Sequence, residues 1–190
     1  MKKLIGVHGK KGSGKDTVAI LMAQYVRKVH HMEAVVKHYA DPLKNGLSAM
    51  FDIQVQKFYD EALKEQIIPE LGVTPRSMMT RFHDLVVPIY GDQVWVRPVQ
   101  NAYHEWKKTL KSGVFIVADV RYEIRETQWI RDEGGAILHV FRDSTDKNAG
   151  DHSSEKGLVV KEGDLVIFND KTLLELRSMV HEDMELFMKR

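Results

Sequence analysis

A chain of 190 residues with 43% hydrophobic and 29% charged residues has enough apolar material for one core, and no bias toward a disordered or fibrous class. A formal net charge of +1 gives no strongly basic face for a nucleic-acid backbone, so no nucleic-acid partner is expected. Without cysteine there are no disulfides and no thiolate chemistry, and an intracellular setting is the default.

The N-terminus, MKKLIGVHGKKGSGK, is too short in apolar residues for a signal-peptide core, and no apolar run approaches a membrane span. Leu4, Ile5 and Val7 read as a buried strand that runs into the glycine-rich stretch HGKKGSGKDTVA. Val18, Leu21, Met22, Tyr25, Val26 and Val29 then recur at helical spacing. Ala34 to Val36 suggest a second strand, ended by Asp41-Pro42. The stretch 43–111 reads as helical, broken by Pro69, Pro75 and Pro88. Strand signals return at 114–119 (VFIVAD), 136–141 (AILHVF) and 165–168 (LVIF). A helix is expected over 122–133, closed by Gly134-Gly135. A last helix opens on the capping box Thr172-x-x-Glu175, with Leu173, Leu176, Val180, Met184 and Phe187 on its buried face. Apolar strands alternating with helices predict an α/β fold with a parallel sheet covered on both sides, and the helical middle as an inserted substrate-binding part.

Gly9, four residues, Gly14 and Lys15 fit G-x-x-x-x-G-K between a strand and a helix, the context a phosphate loop requires. Its glycines let backbone N–H groups approach phosphate oxygens, and the following helix offers its positive end to the same anion. Lys15 would reach the β- and γ-phosphates. Lys10 and Lys11 are ligand contacts or solvated loop lysines. Asp16 stands where Ser or Thr usually contacts Mg²⁺, and the hydroxyl comes one place later, at Thr17. Asp16 could give a carboxylate to the metal while Thr17 contacts an inner phosphate, or it could be a favourable acid in the first helical turn. Asp119, at the carboxyl end of a buried strand, occupies the position of a Walker-B acid. Arg121 faces the same crevice on this reading. Phosphoryl transfer to an already ionised phosphate needs no general base, only positioning and neutralised charge. Arg76, Arg97, Arg121 and Arg142 are therefore the candidates; no Ser-His-Asp arrangement is present, and the nine histidines show no metal-ligand pattern.

With these residues, the chain resembles the bacteriophage deoxynucleoside monophosphate kinases of the P-loop nucleoside monophosphate kinase group. The segments that carry the likeness are HGKKGSGKDTVA, YADPLK (39–44), TPR (74–76), VWVRPV (94–99), IVADVR (116–121), DHSSE (151–155) and IFND (167–170). The resemblance implies a three-layer P-loop kinase fold with a core over 1–40, 112–142 and 160–190. It implies a helical acceptor-binding insertion over about 41–111 and a short lid over about 143–159. Gly9, Lys11, Gly12, Ser13, Gly14, Lys15, Asp16 and Thr17 would bind ATP phosphates, and Asn169 would lie near the adenine. Asp41, Lys44, Arg76 and Trp95 would line the acceptor site. Arg121 would bridge to the acceptor phosphate, and Arg142, His152 and Glu155 would belong to the lid region. Asp16, Thr17 and Asp119 would serve the metal. The implied reaction is Mg²⁺- and ATP-dependent phosphorylation of deoxynucleoside monophosphates. Its setting is the cytoplasm (the host's, if phage-encoded), without a membrane partner and with a homodimer by analogy. A kinase for another small phosphorylated acceptor, phosphomevalonate-like, and a nucleotide-binding switch or accessory ATPase are the alternatives. The segment YEIRETQWIRDEGG is one residue longer than the family pattern, which leaves Arg125 and Glu126 without a role.

Overall fold

The computed structural model describes residues 1–91, 93–143 and 158–190. Strand β1 (Lys2–His8) is buried from Leu4 onward, and β3 (Gly113–Val120) is buried along its whole length. With β2 (Glu33–Lys37), β4 (Ala136–Phe141) and β5 (Leu165–Phe168) they form one sheet in the order β2-β3-β1-β4-β5, every pairing parallel. Continuous apolar runs belong in such a sheet because both faces are covered. On one face, Val114, Ile116 and Ala118 of β3 share a cluster with α1 (Lys15–Val29) and α7 (Leu173–Lys189). The intervening Phe115 points to the other face, where its ring meets Tyr103 and Trp106. That face also receives Ile130, packed so closely on Gly6 that a β-carbon there would lie 2.8 Å from the isoleucine Cδ1. The result is the expected three-layer α/β arrangement. The crossover from β1 leads to β2 on one side while β4 and β5 lie on the other, so the carboxyl end of β1 is a topological switch point.

Two compact units emerge: residues 1–38 with 102–190, which hold the sheet, and residues 39–101. The second contains α2 (Asp41–Phe51), the short α3 (Gln56–Tyr59), a 3₁₀ turn (Leu63–Glu65), α4 (Pro75–Tyr90) and the start of α5 (Gln93–Thr109). Its own core is Leu43, Leu47, Ile53, Phe58, Ile68 and Met78. Thr74 caps α4 by accepting from the Ser77 N–H at 3.1 Å, with Pro75 in the first turn.

Several sequence expectations change. Pro88 does not break a helix: it lies in the last turn of α4, which ends two residues later at Tyr90 before Gly91 at φ 75°. So close to the end, the proline forfeits little of the helix. Val29 and Leu173, assigned to buried helix faces, are 52% and 58% exposed, because each sits at a terminus beyond the packed turns. The capping box does form, with both Thr172–Glu175 bonds present. The segment 122–133 is not one α-helix but a π-turn (Glu123–Thr127) followed by α6 (Gln128–Asp132). A π-turn accommodates one residue more than an α-helical turn. Among the described residues, no helix is long and apolar enough to cross a membrane.

Candidate nucleotide site

β1 delivers its chain at His8 to a loop that turns over Gly9–Gly14, and α1 begins at Lys15. Ser13 N–H donates to the Lys10 carbonyl at 3.1 Å, closing the turn. Gly14 has φ 91°, and the Asn169 amide stands where its β-carbon would be, so only glycine fits. Asn169, 9% exposed just after β5, donates from Nδ2 to the Ser13 carbonyl at 2.8 Å, and its own N–H donates to Phe141. That side-chain amide is committed to bracing the loop from behind. Lys15 is only 7% exposed, while Asp16 and Thr17 are exposed on the first turn of α1. Asp16 Oδ1 lies 3.3 Å from Nε2 of His38, the residue after β2. Lys11 and Gly12 are exposed, and Arg142, at the end of β4, donates to the Gly12 carbonyl at 3.4 Å.

Asp119 arrives beside this loop on β3. The β1–β3 register slips between Gly6, opposite Val117, and His8, opposite Val120, so three steps on β3 face two on β1. Such a bulge re-aims the side chains around it. Asp119 is 9% exposed, and Arg121 follows at the strand's end, half-buried.

Glu126, to which the sequence assigned no role, is 6% exposed. Its Oε2 accepts from the N–H groups of Arg121 and Tyr122, the latter at 3.0 Å. Burial first, and then the charge of Asp119, push its carboxyl up to about 8, against the smaller opposing effect of the two backbone N–H groups. A π-turn has no periodic signature of its own, so no sequence pattern marked this carboxyl.

In residues 39–101, Tyr59 donates to Asp41 Oδ1 at 2.7 Å, and the Lys44 ammonium sits 4.0 Å from the centre of the Tyr59 ring. Tyr59 thus joins two acceptor-site candidates, a link no local pattern announced. Arg76 is paired with Glu65 and, at 3.2 Å, with Glu61, which also holds Lys64. Trp95 is partly buried against this unit's core and stacks with His83 at 6.3 Å between centroids. Arg97 is exposed on α5. His152 and Glu155 lie outside the described residues.

Among the described residues no cluster of three His, Cys, Asp or Glu could hold a metal. The candidate metal set, Asp16, Thr17 and Asp119, offers oxygen alone. This suits Mg²⁺, which keeps several waters, takes one or two carboxylates and shares the oxygens of a phosphate substrate.

The sequence model of the deoxynucleotide monophosphate kinase family matches residues 70–180, more than half of the chain. A protein of Acanthamoeba polyphaga mimivirus, provisionally named for that activity, is 25% identical over 188 residues, 93% of each chain. The deoxynucleotide monophosphate kinases of Escherichia phage RB69 and Enterobacteria phage T4 are 34% and 32% identical over 127 and 111 residues. These matches cover 64% and 58% of this chain but only 50% and 45% of the phage proteins, so the matched part is about half their length. In fold the chain is similar to a dephospho-CoA kinase from Campylobacter jejuni (TM-score 0.53, 10% identity, 100% of this chain and 98% of that one). It is also similar to a gluconokinase from Sinorhizobium meliloti (TM-score 0.51, 13% identity, 98% and 94%). A phosphate loop at the switch point of a parallel sheet, an acid in a bulge beside it and a family match over more than half the residues agree: the chain belongs to the deoxynucleotide monophosphate kinase family.

Proposed function

We propose that the protein transfers the γ-phosphoryl group of ATP to deoxynucleoside monophosphates, giving diphosphates, with Mg²⁺. The observation that carries this reading is the braced loop Gly9–Thr17 beside the Asp119–Arg121 turn, in a chain of this family. The loop amides and the start of α1 hold the donor phosphates of the nucleotide. Lys15, sunk below the surface at the helix start, offsets charge on the β- and γ-oxygens. Arg121 neutralises the phosphoryl group in flight, and Arg142, which donates to the Gly12 carbonyl, adds a second guanidinium at the loop. The acceptor phosphate is ionised at neutral pH and attacks without a general base, so the protein's task is in-line placement.

Asp16, Thr17 and Asp119 would hold Mg²⁺, which would offset the negative charge of the donor phosphates. Asp16 would exchange its contact with His38 for this duty. We assign the acceptor to Asp41, Lys44, Arg76 and Trp95 within a helical insertion over about 41–111. The lid over about 143–159, with His152 and Glu155, completes the scheme. Arg76 would release Glu61 and Glu65 to meet a phosphate, an exchange of carboxylate for phosphate that a guanidinium makes readily. The cytoplasm is the setting assigned, and a homodimer is the assembly state assigned by analogy; a monomeric mass in light scattering refutes the latter. A kinase for a different phosphorylated acceptor and a nucleotide-driven switch are not favoured by the family match.

ADP release with ATP, Mg²⁺ and a panel of deoxy- and ribonucleoside monophosphates tests the reading. Deoxynucleoside monophosphates should raise turnover well above the ATP-only rate. No stimulation by any monophosphate refutes the proposal.

A further inference from the structure

His8 is the last residue of β1 and the first before the phosphate loop, yet the transfer reaction makes no use of its imidazole. The residue is 4% exposed. Nδ1 lies 2.8 Å from the Val120 carbonyl oxygen, and the Leu158 N–H donates to Nε2 at 3.2 Å. A carbonyl only accepts and an amide N–H only donates, so one tautomer satisfies both contacts: the proton on Nδ1 and the lone pair on Nε2. Burial, with the nearby His139, Lys15 and Arg121, lowers the imidazole to about 4, despite the opposing bond to Val120, so the ring is neutral at pH 7. Behind it the His139 ring stands edge-on at 5.4 Å. His139 Nε2 meets Asp164 at 3.0 Å, and Asp164 takes both arms of Arg131 at 2.8 and 2.9 Å. The imidazole is held from the rear by a buried polar chain.

The carbonyl it grips belongs to the residue between Asp119 and Arg121. At this point the β1–β3 ladder has slipped, so regular strand pairing alone no longer fixes the peptide. We propose that His8 is a positioning residue for phosphoryl transfer: its Nδ1–H holds the Val120 carbonyl and so fixes the peptide that aims Asp119 and Arg121. For its effect on turnover the inference rests on the kinase reading above. For its geometry it stands alone.

Two measurements test it. The first needs no activity: ¹⁵N NMR of the histidine-labelled protein at pH 7 should show His8 with a protonated Nδ1 and a bare Nε2. The reverse tautomer overturns the proposal. The second compares variants that each keep one half of the ring's hydrogen bonding. His8→Asn places an amide N–H where Nδ1–H stood, whereas His8→Gln keeps an acceptor near Nε2 and loses that donor. With deoxynucleoside monophosphate as acceptor, His8→Asn should stay within several-fold of wild-type kcat. His8→Gln should lose roughly 10- to 100-fold in kcat, the loss typical when a supporting contact is removed, with the KM for ATP nearly unchanged. Equal losses in the two variants, or a better Gln than Asn, overturn the role of the Val120 contact. A wild-type protein that fails to transfer would instead remove the kinase reading and leave the tautomer measurement standing on its own.

Discussion

Glu126→Gln should make the protein more stable in mild alkali. The wild-type carboxyl is 6% exposed beside Asp119 and is raised from 4.5 to about 8. Between those values the folded chain keeps a proton that the unfolded chain has lost, so stability falls as pH rises through the interval and levels off above it. A shift of about 3.5 units corresponds to about 5 kcal/mol at 1.36 kcal/mol per unit, and at pH 8, with half the folded molecules ionised, about 4 kcal/mol of this is already lost. Glutamine has no charge to bury, and its Oε1 still accepts from the Arg121 and Tyr122 N–H groups that Oε2 serves now. In urea titrations without nucleotide or divalent cation, the variant should match wild type within about 1 kcal/mol at pH 5, where the wild-type carboxyl is protonated. At pH 8 it should exceed wild type by about 4 kcal/mol, on the order of 10 °C in Tm for a chain of this size. Glu126→Ala, by contrast, leaves two N–H groups without their acceptor, a cost of roughly 1–3 kcal/mol each where water does not replace it, and should lose stability at pH 5. Parallel pH profiles for wild type and Glu126→Gln would refute the reasoning, because they would mean that the carboxyl pays no penalty for ionising in place.

Lys15→Ala should cut transfer by on the order of 10³-fold or more at an unchanged circular-dichroism spectrum; near-normal turnover refutes its role. Asp16→Ser should retain transfer but need roughly tenfold more Mg²⁺ for half-maximal rate, and an unchanged Mg²⁺ dependence argues against a metal role for the carboxylate. His8, lowered from 6.5 to about 4, gives the opposite slope to Glu126. The unfolded chain takes up that proton first, so stability should fall by about 3 kcal/mol as pH drops from 6.5 to 4, a loss absent from the acid limb of His8→Asn in denaturant titrations. Phe58→Ala, at a position with no exposure in the core of residues 39–101, should cost about 3–5 kcal/mol in the unfolding of that unit.

The features to which the chemistry is assigned were legible because each lies within one short stretch of chain. The loop from Gly9 to Thr17 is contiguous, Asp119 and Arg121 follow a single apolar run, and the runs themselves announce a sheet buried on both faces. The contacts that brace these stretches join residues far apart in sequence. Asn169 reaches 156 residues back to Ser13, and His8 reaches 112 forward to Val120. Tyr59 binds Asp41 across 18 positions that include the end of α2. No periodicity encodes such pairs. Pro88 misled because a proline reads as a breaker wherever it stands, whereas its cost depends on how many turns of helix lie beyond it. Glu126 was hidden for a related reason. An extra residue in a helix looks like a loss of register, but the π-turn that absorbs it swings a carboxyl back onto the two amides that follow Val120. The bulge in β3 and the π-turn are each one residue of surplus chain on either side of the same peptide. Together they set the direction of Arg121, so deletion of Ile124, which would return the turn to α-helical register, should cost transfer more than it costs nucleotide binding at the loop.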